Sequence, residues 1–402
     1  MALVGDFNAT TPIEVVGGAP DDLKTLTVNG QPLAFTQNSN GVVTAKFVFN
    51  LPKVTIPKLN EQRWKYIDSL PEIQPGYDDN AWTVADRTTT NNTALRNLTT
   101  PTVLYSSEYG YHTGTLLYRG HFTATGNEST IWVSAQGGSA FGFSVFLDSD
   151  FIGSWAGYDA AMSGNGTFAL PKLTKGTSHV FTVVIDNMGL DENWVVGLDL
   201  MKAPRGILDY TFAGHSKSDI TWKLTGNLGG ENYQDRIRGP LNEGGLFAER
   251  QGYHLPAPPI SNWTSSRGPT EGIPSAGVGF YVTSFDLDLP RGWDIPLSFN
   301  FANSTASNST GKSAAYRAQL FVNGYQFGKY VHNVGPQDNF PVPEGILNYH
   351  GTNWVAVSLW SLEEGGAKLD GFELTANGMI QSGYGDIALS PMDRWKQRSG
   401  AY

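Results

Sequence analysis

The seven histidines are the side chains best suited to acid–base or metal chemistry, and they are spread widely along the chain. They form no HExxH pair, and His112 and His121, the two nearest in sequence, are nine positions apart. Two metal ligands on one strand or turn need a tighter spacing than this. We therefore predict no metal site.

Other catalytic patterns are incomplete. The segment Gly137-Gly-Ser-Ala-Phe141 lacks the second glycine of a GxSxG nucleophile elbow, because Phe141 stands in its place. Gly277-Val-Gly279 lacks the third glycine and the following helix of a dinucleotide site, and no phosphate-loop spacing occurs. The absence of cysteine excludes disulfides, thiolate metal sites and a cysteine nucleophile. We predict no cofactor and assign no catalytic residue.

Aromatic and polar side chains on irregular segments are the remaining candidates for a ligand site. Strand tryptophans and tyrosines favour a core role, whereas an exposed ring can stack on a sugar or hold an apolar ligand. Trp64, Tyr77 and Trp194 stand on irregular polar segments and are the least core-like. The predicted pocket residues are Trp64, Tyr77, Tyr111, His112, Arg119, Trp194 and Arg205.

Sequons for N-glycosylation recur near predicted turns, each of the form N-x-S/T without proline. Together they favour passage through the secretory pathway, although the amino terminus has neither a basic start nor an apolar run typical of a signal peptide. The candidate acceptors are Asn8, Asn91, Asn97, Asn127, Asn165, Asn262, Asn303 and Asn308.

The net charge and the hydropathy of the chain argue against some classes of binding partner. The net charge is −10, and an acidic chain without a basic run repels phosphate backbones, which argues against nucleic acid. No stretch approaches the ~18 apolar residues of a membrane span. The candidate aromatic residues instead suit a small-molecule or glycan ligand.

Short alternating runs rich in β-branched and aromatic residues dominate the chain, and turn residues separate them. The 47 glycines among 402 residues exceed the usual ~7% and supply many turns. Helical periodicity is scarce, so the pattern predicts an all-β protein of sandwiches. The clearest strands are Leu116–Thr125, Thr130–Ala135, Ser144–Leu147, His179–Asp186, Gly279–Leu289, Gln319–Val322 and Asn353–Trp360.

Two halves of the chain repeat the same order of hairpin, proline-bearing edge and buried strand, which indicates a duplicated sandwich. Asn323-Gly324 is a strong type I′ hairpin signal, and Asp148-Ser149 is its weaker counterpart. We predict an amino-terminal piece over residues 1–60 and a first sandwich over 61–213. A Gly/Pro-rich connector over 214–259 then leads to a second sandwich over 260–402.

Several long segments, read in order, resemble the carboxyl-terminal part of fungal β-galactosidases of glycoside hydrolase family 35. They include Trp64-Lys-Tyr-Ile-Asp-Ser-Leu-Pro-Glu-Ile-Gln74, Tyr118-Arg-Gly-His-Phe-Thr-Ala-Thr-Gly-Asn-Glu-Ser129, Gln136-Gly-Gly-Ser-Ala-Phe-Gly142, Trp222-Lys-Leu-Thr-Gly-Asn-Leu-Gly-Gly230, Arg238-Gly-Pro-Leu-Asn-Glu-Gly-Gly245 and Pro343-Glu-Gly-Ile-Leu-Asn-Tyr349. The resemblance covers nearly the whole chain and implies the end of the family's third domain followed by two jelly-roll domains. One departure is the turn Asp148-Ser149-Asp150, where relatives tend to carry Asn-Gly.

The resemblance also implies that the family's catalytic barrel precedes everything seen here, so its acid/base and nucleophile glutamates match no position of this chain. The first interpretation is an accessory or ligand-binding module without galactoside hydrolase activity of its own, with a galactosidase barrel as its partner. The alternatives are a repurposed, cofactor-free enzyme acting on an apolar metabolite by isomerisation or a pericyclic step such as hetero-Diels–Alder cycloaddition, and a galactoside-binding lectin. The implied location is the secretory pathway or the extracellular space.

Overall fold

The computed structural model describes residues 1–92, 95, 97–193, 195–197, 202–233, 235, 244–302, 314–385 and 387–402. Within these residues the chain forms sheets that are antiparallel except where β1 pairs with β3, and it has few helices, so the predicted all-β class is confirmed. The strands of the amino-terminal part and the first sandwich are β1 (Ala2–Leu3), β2 (Thr11–Val15), β3 (Thr27–Val28), β4 (Gln31–Pro32), β5 (Phe35–Gln37), β6 (Val43–Phe47), β7 (Trp64–Asp68), β8 (Thr83–Val84), β9 (Leu116–Thr123), β10 (Thr130–Gln136), β11 (Phe143–Leu147), β12 (Asp150–Trp155), β13 (Ser163–Ala169), β14 (Ser178–Ile185), β15 (Gly206–Phe212) and β16 (Thr221–Thr225).

The later strands are β17 (Thr264–Ser266), β18 (Gly277–Asp288), β19 (Trp293–Asp294), β20 (Leu297–Phe301), β21 (Tyr316–Val322), β22 (Tyr325–Val331), β23 (Asn339–Val342), β24 (His350–Ser361), β25 (Phe372–Ala376) and β26 (Ile380–Gln381). The described helices are α1 (Phe247–Arg250) and the 3-10 turns Leu59–Glu61, Pro71–Ile73, Ser106–Tyr109, Lys217–Asp219 and Ile260–Asn262. The seven strands predicted most clearly are all present, with ends shifted by up to three residues.

Each sandwich packs a six-stranded sheet on a three-stranded one. The first has the orders β12-β11-β14-β9-β16-β8 and β13-β10-β15. The second has the orders β17-β7-β18-β24-β21-β22 and β23-β20-β25. The predicted duplication is therefore visible in the strand order itself.

Alternation along β9 explains how one strand serves two cores. Leu116, Tyr118 and Phe122 point into the core of the first sandwich, because successive side chains of a strand face opposite ways. Leu117 belongs to a second buried cluster that also contains Trp360 of β24. The outer faces of the two six-stranded sheets thus pack on each other.

Two strands pair with sheets outside the predicted segments in which they lie. Strand β7 pairs with β18 of the second sandwich, from Gly279↔Asp68 to Val282↔Lys65. Strand β16 pairs with β9 of the first sandwich, although its residues fall in the predicted connector. The boundaries themselves stay a prediction.

Candidate functional site

A cavity of about 300 Å³ opens beside the first sandwich, and we call it the loop cavity. Three of the predicted pocket residues, Tyr111, His112 and Arg205, line it together. The 3-10 turn Ser106–Tyr109 ends at Gly110, whose φ of 85° favours glycine and turns the chain towards Tyr111 and His112. The cavity's full lining is Asn91, Asn92, Ser106, Ser107, Glu108, Tyr111, His112, Leu190, Lys202, Ala203 and Arg205.

His112 is the titratable side chain of the loop cavity best placed for proton transfer. Its Nε2 lies 2.9 Å from Glu231 Oε1, and its backbone carbonyl accepts a hydrogen bond from Asn187 Nδ2 at 3.1 Å. The neighbouring Tyr111 hydroxyl lies 3.0 Å from Thr83 Oγ1. A carboxylate beside an imidazole orients the ring, so this pair can accept or donate a proton.

Arg205 holds the walls of the loop cavity together through several hydrogen bonds. Its guanidinium donates to the Gly189 carbonyl at 2.9 Å and to the Ala203 carbonyl at 3.1 Å. It also binds Asp191 Oδ2 at 3.0 Å, with both side chains largely buried. These partners draw on most of its donors, so Arg205 holds the loop walls together and contributes little to direct ligand binding.

Hydroxyl and carboxyl groups give the loop cavity its remaining polarity. Ser106 is buried, and its Oγ has no hydrogen-bond partner among the described residues. Glu108 Oε1 accepts a hydrogen bond from Thr90 Oγ1 at 2.5 Å. The cavity can therefore orient a small polar ligand, with the Ser106 hydroxyl and the His112 imidazole in its wall.

The other predicted pocket residues are not part of the lining of the loop cavity. Trp64 is 2% exposed, packs in the core of the second sandwich and donates from Nε1 to the Leu59 carbonyl at 2.7 Å. Tyr77 and Arg119 lie together between the two sandwiches, with the guanidinium over the ring at 5.3 Å. Trp194 lies outside the described residues. A ligand-binding role for these four stays an untested prediction, and the burial of Trp64 agrees with the core alternative.

The surroundings of Tyr77 and Arg119 form a buried ionic network. Arg119 binds Asp79 Oδ2 at 3.1 Å, and Lys223 binds Asp79 Oδ1 at 2.8 Å. Burial alone would raise the pKa of Asp79, but hydrogen bonds from Lys223 and His121 and the Arg119 charge lower it. Arg250, also buried, pairs with Glu72 across the same junction. This network holds the segment between β7 and β8 against the first sandwich and α1, which is a structural role.

A larger cavity, of about 650 Å³, was missed by sequence reasoning, and we call it the junction cavity. It lies where the amino-terminal part, strand β19 and the carboxyl-terminal segment meet. Its polar centre is formed by Asp294 and Glu344, and Trp293 lines its wall. This cavity could not be predicted from the sequence, because Asp294 and Glu344 are fifty residues apart and no motif links them.

The six described sequon asparagines, Asn8, Asn91, Asn97, Asn127, Asn165 and Asn262, are all exposed, as acceptors must be. Asn303 and Asn308 lie outside the described residues. Asn91 also lines the loop cavity, so a glycan attached there would compete with a ligand for the entrance. Among the described residues, no group of three His, Asp or Glu side chains is arranged to hold a metal ion. No described helix is long and apolar enough to cross a membrane.

Family models and curated relatives match this architecture. The model of the beta-galactosidase second all-beta domain matches twice, over residues 77–191 and 247–365, and that of beta-galactosidase domain 3 matches residues 1–44. Beta-galactosidase A of Aspergillus niger is 56% identical over 400 residues, which cover 100% of this chain and 39% of that protein. Beta-galactosidase A of Penicillium sp is 55% identical over 397 residues, which cover 99% of this chain and 38% of that protein.

The chain thus spans about 39% of the length of the curated relatives that it matches. The twofold match of one family model agrees with the duplicated sandwich. A solved beta-glucuronidase of Bacteroides uniformis is similar over 77% of this chain and 28% of its own, at 13% identity and a TM-score of 0.23. A TM-score this low carries no argument about the fold.

Proposed function

The chain belongs to the beta-galactosidase family, and from this premise we propose that its sandwiches are an accessory and ligand-binding module without galactoside hydrolase activity of their own. The observation that carries the proposal is the extent of the match: the whole chain aligns, but with only 39% of the relatives' length. A catalytic barrel is the partner that such a module would support.

The carboxyl geometry favours the same proposal. Glycoside hydrolysis uses two carboxyl groups about 5–9.5 Å apart, with the sugar and sometimes a water between them. Asp294 and Glu344, two of the three carboxyl groups that line the junction cavity, instead share a side-chain hydrogen bond, and the third, Asp6, accepts one from Ser382. Carboxyl groups in contact leave no room for a glycosidic bond between them.

Rigidity of the two-sandwich unit also supports an accessory role. Arg317 of β21 donates to Asp186 at 3.1 Å and to the carbonyls of Ala140 and Ala156 at 3.0 and 2.8 Å. These bonds are buried and join the second sandwich to the first. A preformed unit of this kind can dock on a barrel without the entropic cost of ordering two separate domains.

Hydrolysis by the purified chain tests the proposal. We expect no release of nitrophenol from a chromogenic β-galactoside, with the full-length Aspergillus niger relative as the positive control. Turnover that persists through further purification and follows the protein peak would overturn the accessory role.

We further propose that the chain passes through the secretory pathway. Exposure of all six described sequon asparagines supports this location, since each can reach an oligosaccharide transferase. Treatment of the native protein with an endoglycosidase should lower its mass by the mass of the removed glycans. An unchanged mass, with no glycan detected by mass spectrometry, would contradict the proposal.

A further inference from the structure

The junction cavity is built from three parts of the chain that hydrogen bonds hold together. Strands β19 and β26 pair, with Trp293 opposite Gln381 and Asp294 opposite Ile380. The Ser382 hydroxyl donates to Asp6 Oδ1 at 3.0 Å, and the Ser382 amide donates to the Gly292 carbonyl at 2.9 Å. The cavity of about 650 Å³ is therefore preformed, at a junction of the kind where ligand sites concentrate.

Two carboxyl groups in contact form the polar centre of the junction cavity. Burial raises the pKa of Glu344, and so do its hydrogen bond with Asp294 and the negative charge of that neighbour. The two carboxyl groups thus place their oxygens side by side in the cavity wall. Asp294 Oδ1 is in addition buried and lacks a hydrogen-bond donor among the described residues. The centre therefore offers oxygen atoms to the hydroxyls of a ligand.

Aromatic rings and planar polar groups surround this centre. Trp293, Tyr349 and Tyr384 line the cavity and supply apolar faces. Burial, together with the charges of Glu344 and Asp294, raises the pKa of Tyr349 to about 12, so its hydroxyl keeps its proton. Asn348 and Arg291 add an amide and a guanidinium to the wall.

The polar and apolar groups that line the junction cavity favour some ligand classes over others. A site for an organic cation would surround it with acceptors and aromatic faces, whereas the Arg291 guanidinium of this wall can only donate. A divalent metal ion would need three or more carboxylate or imidazole ligands, and none of the described residues form such a group. A ligand with many hydroxyls, which both donate and accept, and with apolar C–H faces matches every part of the lining.

We propose that the junction cavity binds a neutral saccharide, with Asp294 and Glu344 hydrogen-bonded to its hydroxyls and Trp293 against its C–H face. This inference rests on the proposed accessory role and deepens it by naming a site and a ligand class. A volume of about 650 Å³ accommodates one or two sugar rings, within the ~300–1,000 Å³ of small-molecule sites.

Calorimetric titration of the full chain with lactose, galactose, glucose and choline, each up to its solubility limit, tests the proposal. We expect at least one of the three sugars to bind and choline not to bind. Asp294→Asn and Glu344→Gln should each weaken sugar binding about ten-fold or more, because each replaces a carboxyl oxygen that would bond a sugar hydroxyl with an amide group. Glu373→Gln, at an exposed position of β25 outside the cavity, is the matched control and should leave binding unchanged.

Thermal unfolding of each variant establishes that it is folded, and the two cavity variants serve as checks on each other. Failure of all three sugars to bind the wild-type chain overturns the proposal, as does binding that both cavity variants retain in full. Binding of choline in preference to the sugars overturns the saccharide class. Hydrolysis of a chromogenic galactoside is measured in the same samples: turnover contradicts the accessory role, whereas missing sugar binding without turnover contradicts the saccharide site alone.

Discussion

The two sandwiches arrange their strands in the same order, but they take one strand from different places in the chain. Strand β9 of the first sandwich is flanked by β16, which follows the other strands of that sandwich in sequence. Strand β18 occupies the same place in the second sandwich, yet its flanking strand is β7, which precedes the entire first sandwich. The first sandwich is therefore inserted between β7 and the rest of the second.

This difference links the folding of the two units. Pairing Tyr66 with Tyr281 closes a loop that contains the whole first sandwich. Loop-closure entropy grows only slowly with length, and a folded insert shortens the effective loop further. We infer that the first sandwich forms from its own strands and helps the second to complete its sheet.

The hairpins at the matching edges show the same geometry with different chemistry. Asp148 and Asn323 have φ angles of 52° and 48°. Each accepts a hydrogen bond from a strand amide through its side chain, Val180 N–H at 3.1 Å and Trp354 N–H at 2.8 Å. Asp148 then pairs with His179 at 2.8 Å, whereas Asn323 is fully buried and donates to Asn353 Oδ1 at 2.9 Å.

The interface between the sandwiches is asymmetric at another matched position. Counted back from the two turns, Gly142 of the first sandwich corresponds to Arg317 of the second. A Cβ atom on Gly142 would lie 2.9 Å from the Arg317 guanidinium. Glycine on one side therefore makes room for the buried arginine on the other.

The largest expected effect comes from disrupting β7, which precedes the first sandwich in sequence but pairs within the second. Tyr66→Pro removes an amide from a strand that has partners on both sides, β17 and β18. We expect loss of the native second sandwich, a penalty above the ~3 kcal/mol of proline inside a regular element. Lys223→Pro in β16 is the matched variant, because β16 lies between β8 and β9 in the first sandwich.

Hydrogen exchange measured by mass spectrometry localises the damage. Tyr66→Pro should remove protection from β18 while β9 and β14 keep theirs. Equal loss in both sandwiches from Tyr66→Pro would contradict the inference that the first sandwich forms on its own.

Arg317→Met should have the next largest effect. It leaves Asp186 buried with Lys329 as its remaining cationic partner, and we expect a loss of about 3 kcal/mol in the free energy of unfolding. Arg267→Met is the control, since the Arg267–Glu271 pair is exposed and should be worth less than about 1 kcal/mol. Chemical denaturation measures both, and equal effects would mean that the buried ion pair does not hold the sandwiches together.

Substitutions at the two turn residues should have unequal effects on stability. Asn323→Asp puts a carboxylate against the Ile346 carbonyl and Asn353 Oδ1, so we expect a loss of about 1–3 kcal/mol or more. Asp148→Asn keeps the acceptor for Val180 N–H and should cost less than about 1 kcal/mol. The midpoints of thermal unfolding compare the two, and a larger cost for Asp148→Asn would contradict the greater dependence of the Asn323 turn on its side-chain hydrogen bonds.

The smallest expected effect is on stability at acidic pH, and it arises in the first sandwich. Burial alone would raise the pKa of Glu128, but hydrogen bonds from Thr125 and His215 lower it to about 2. A lowered carboxyl pKa adds stability above the ordinary value near 4.5, and this stability is lost as the pH falls from about 5 to 2. Glu128→Gln should therefore flatten the decline of the melting temperature over that range, while Glu373→Gln should leave the decline unchanged. An identical decline in both variants would exclude Glu128 as a source of acid sensitivity.

Strand content, the duplication and the family were predictable from sequence because they depend on local patterns. Alternation over β9 and β24 and the turn at Asn323-Gly324 are local properties, and the structure confirms them. Part of the loop cavity was also predicted, since Tyr111 and His112 are adjacent and lie on an irregular segment.

Tertiary structure alone decided which strand completes each sheet and which side chains share a cavity. Trp64 and the strand that contains it are polar and irregular in sequence, yet Trp64 is buried, and β7 pairs on both sides, with β17 and β18, in the six-stranded sheet of the second sandwich. Asp294 and Glu344 likewise meet only because β19 and the chain before β24 fold to one junction. A period-two pattern specifies the face of a strand, whereas its neighbours depend on the free energy of burying that face against distant segments.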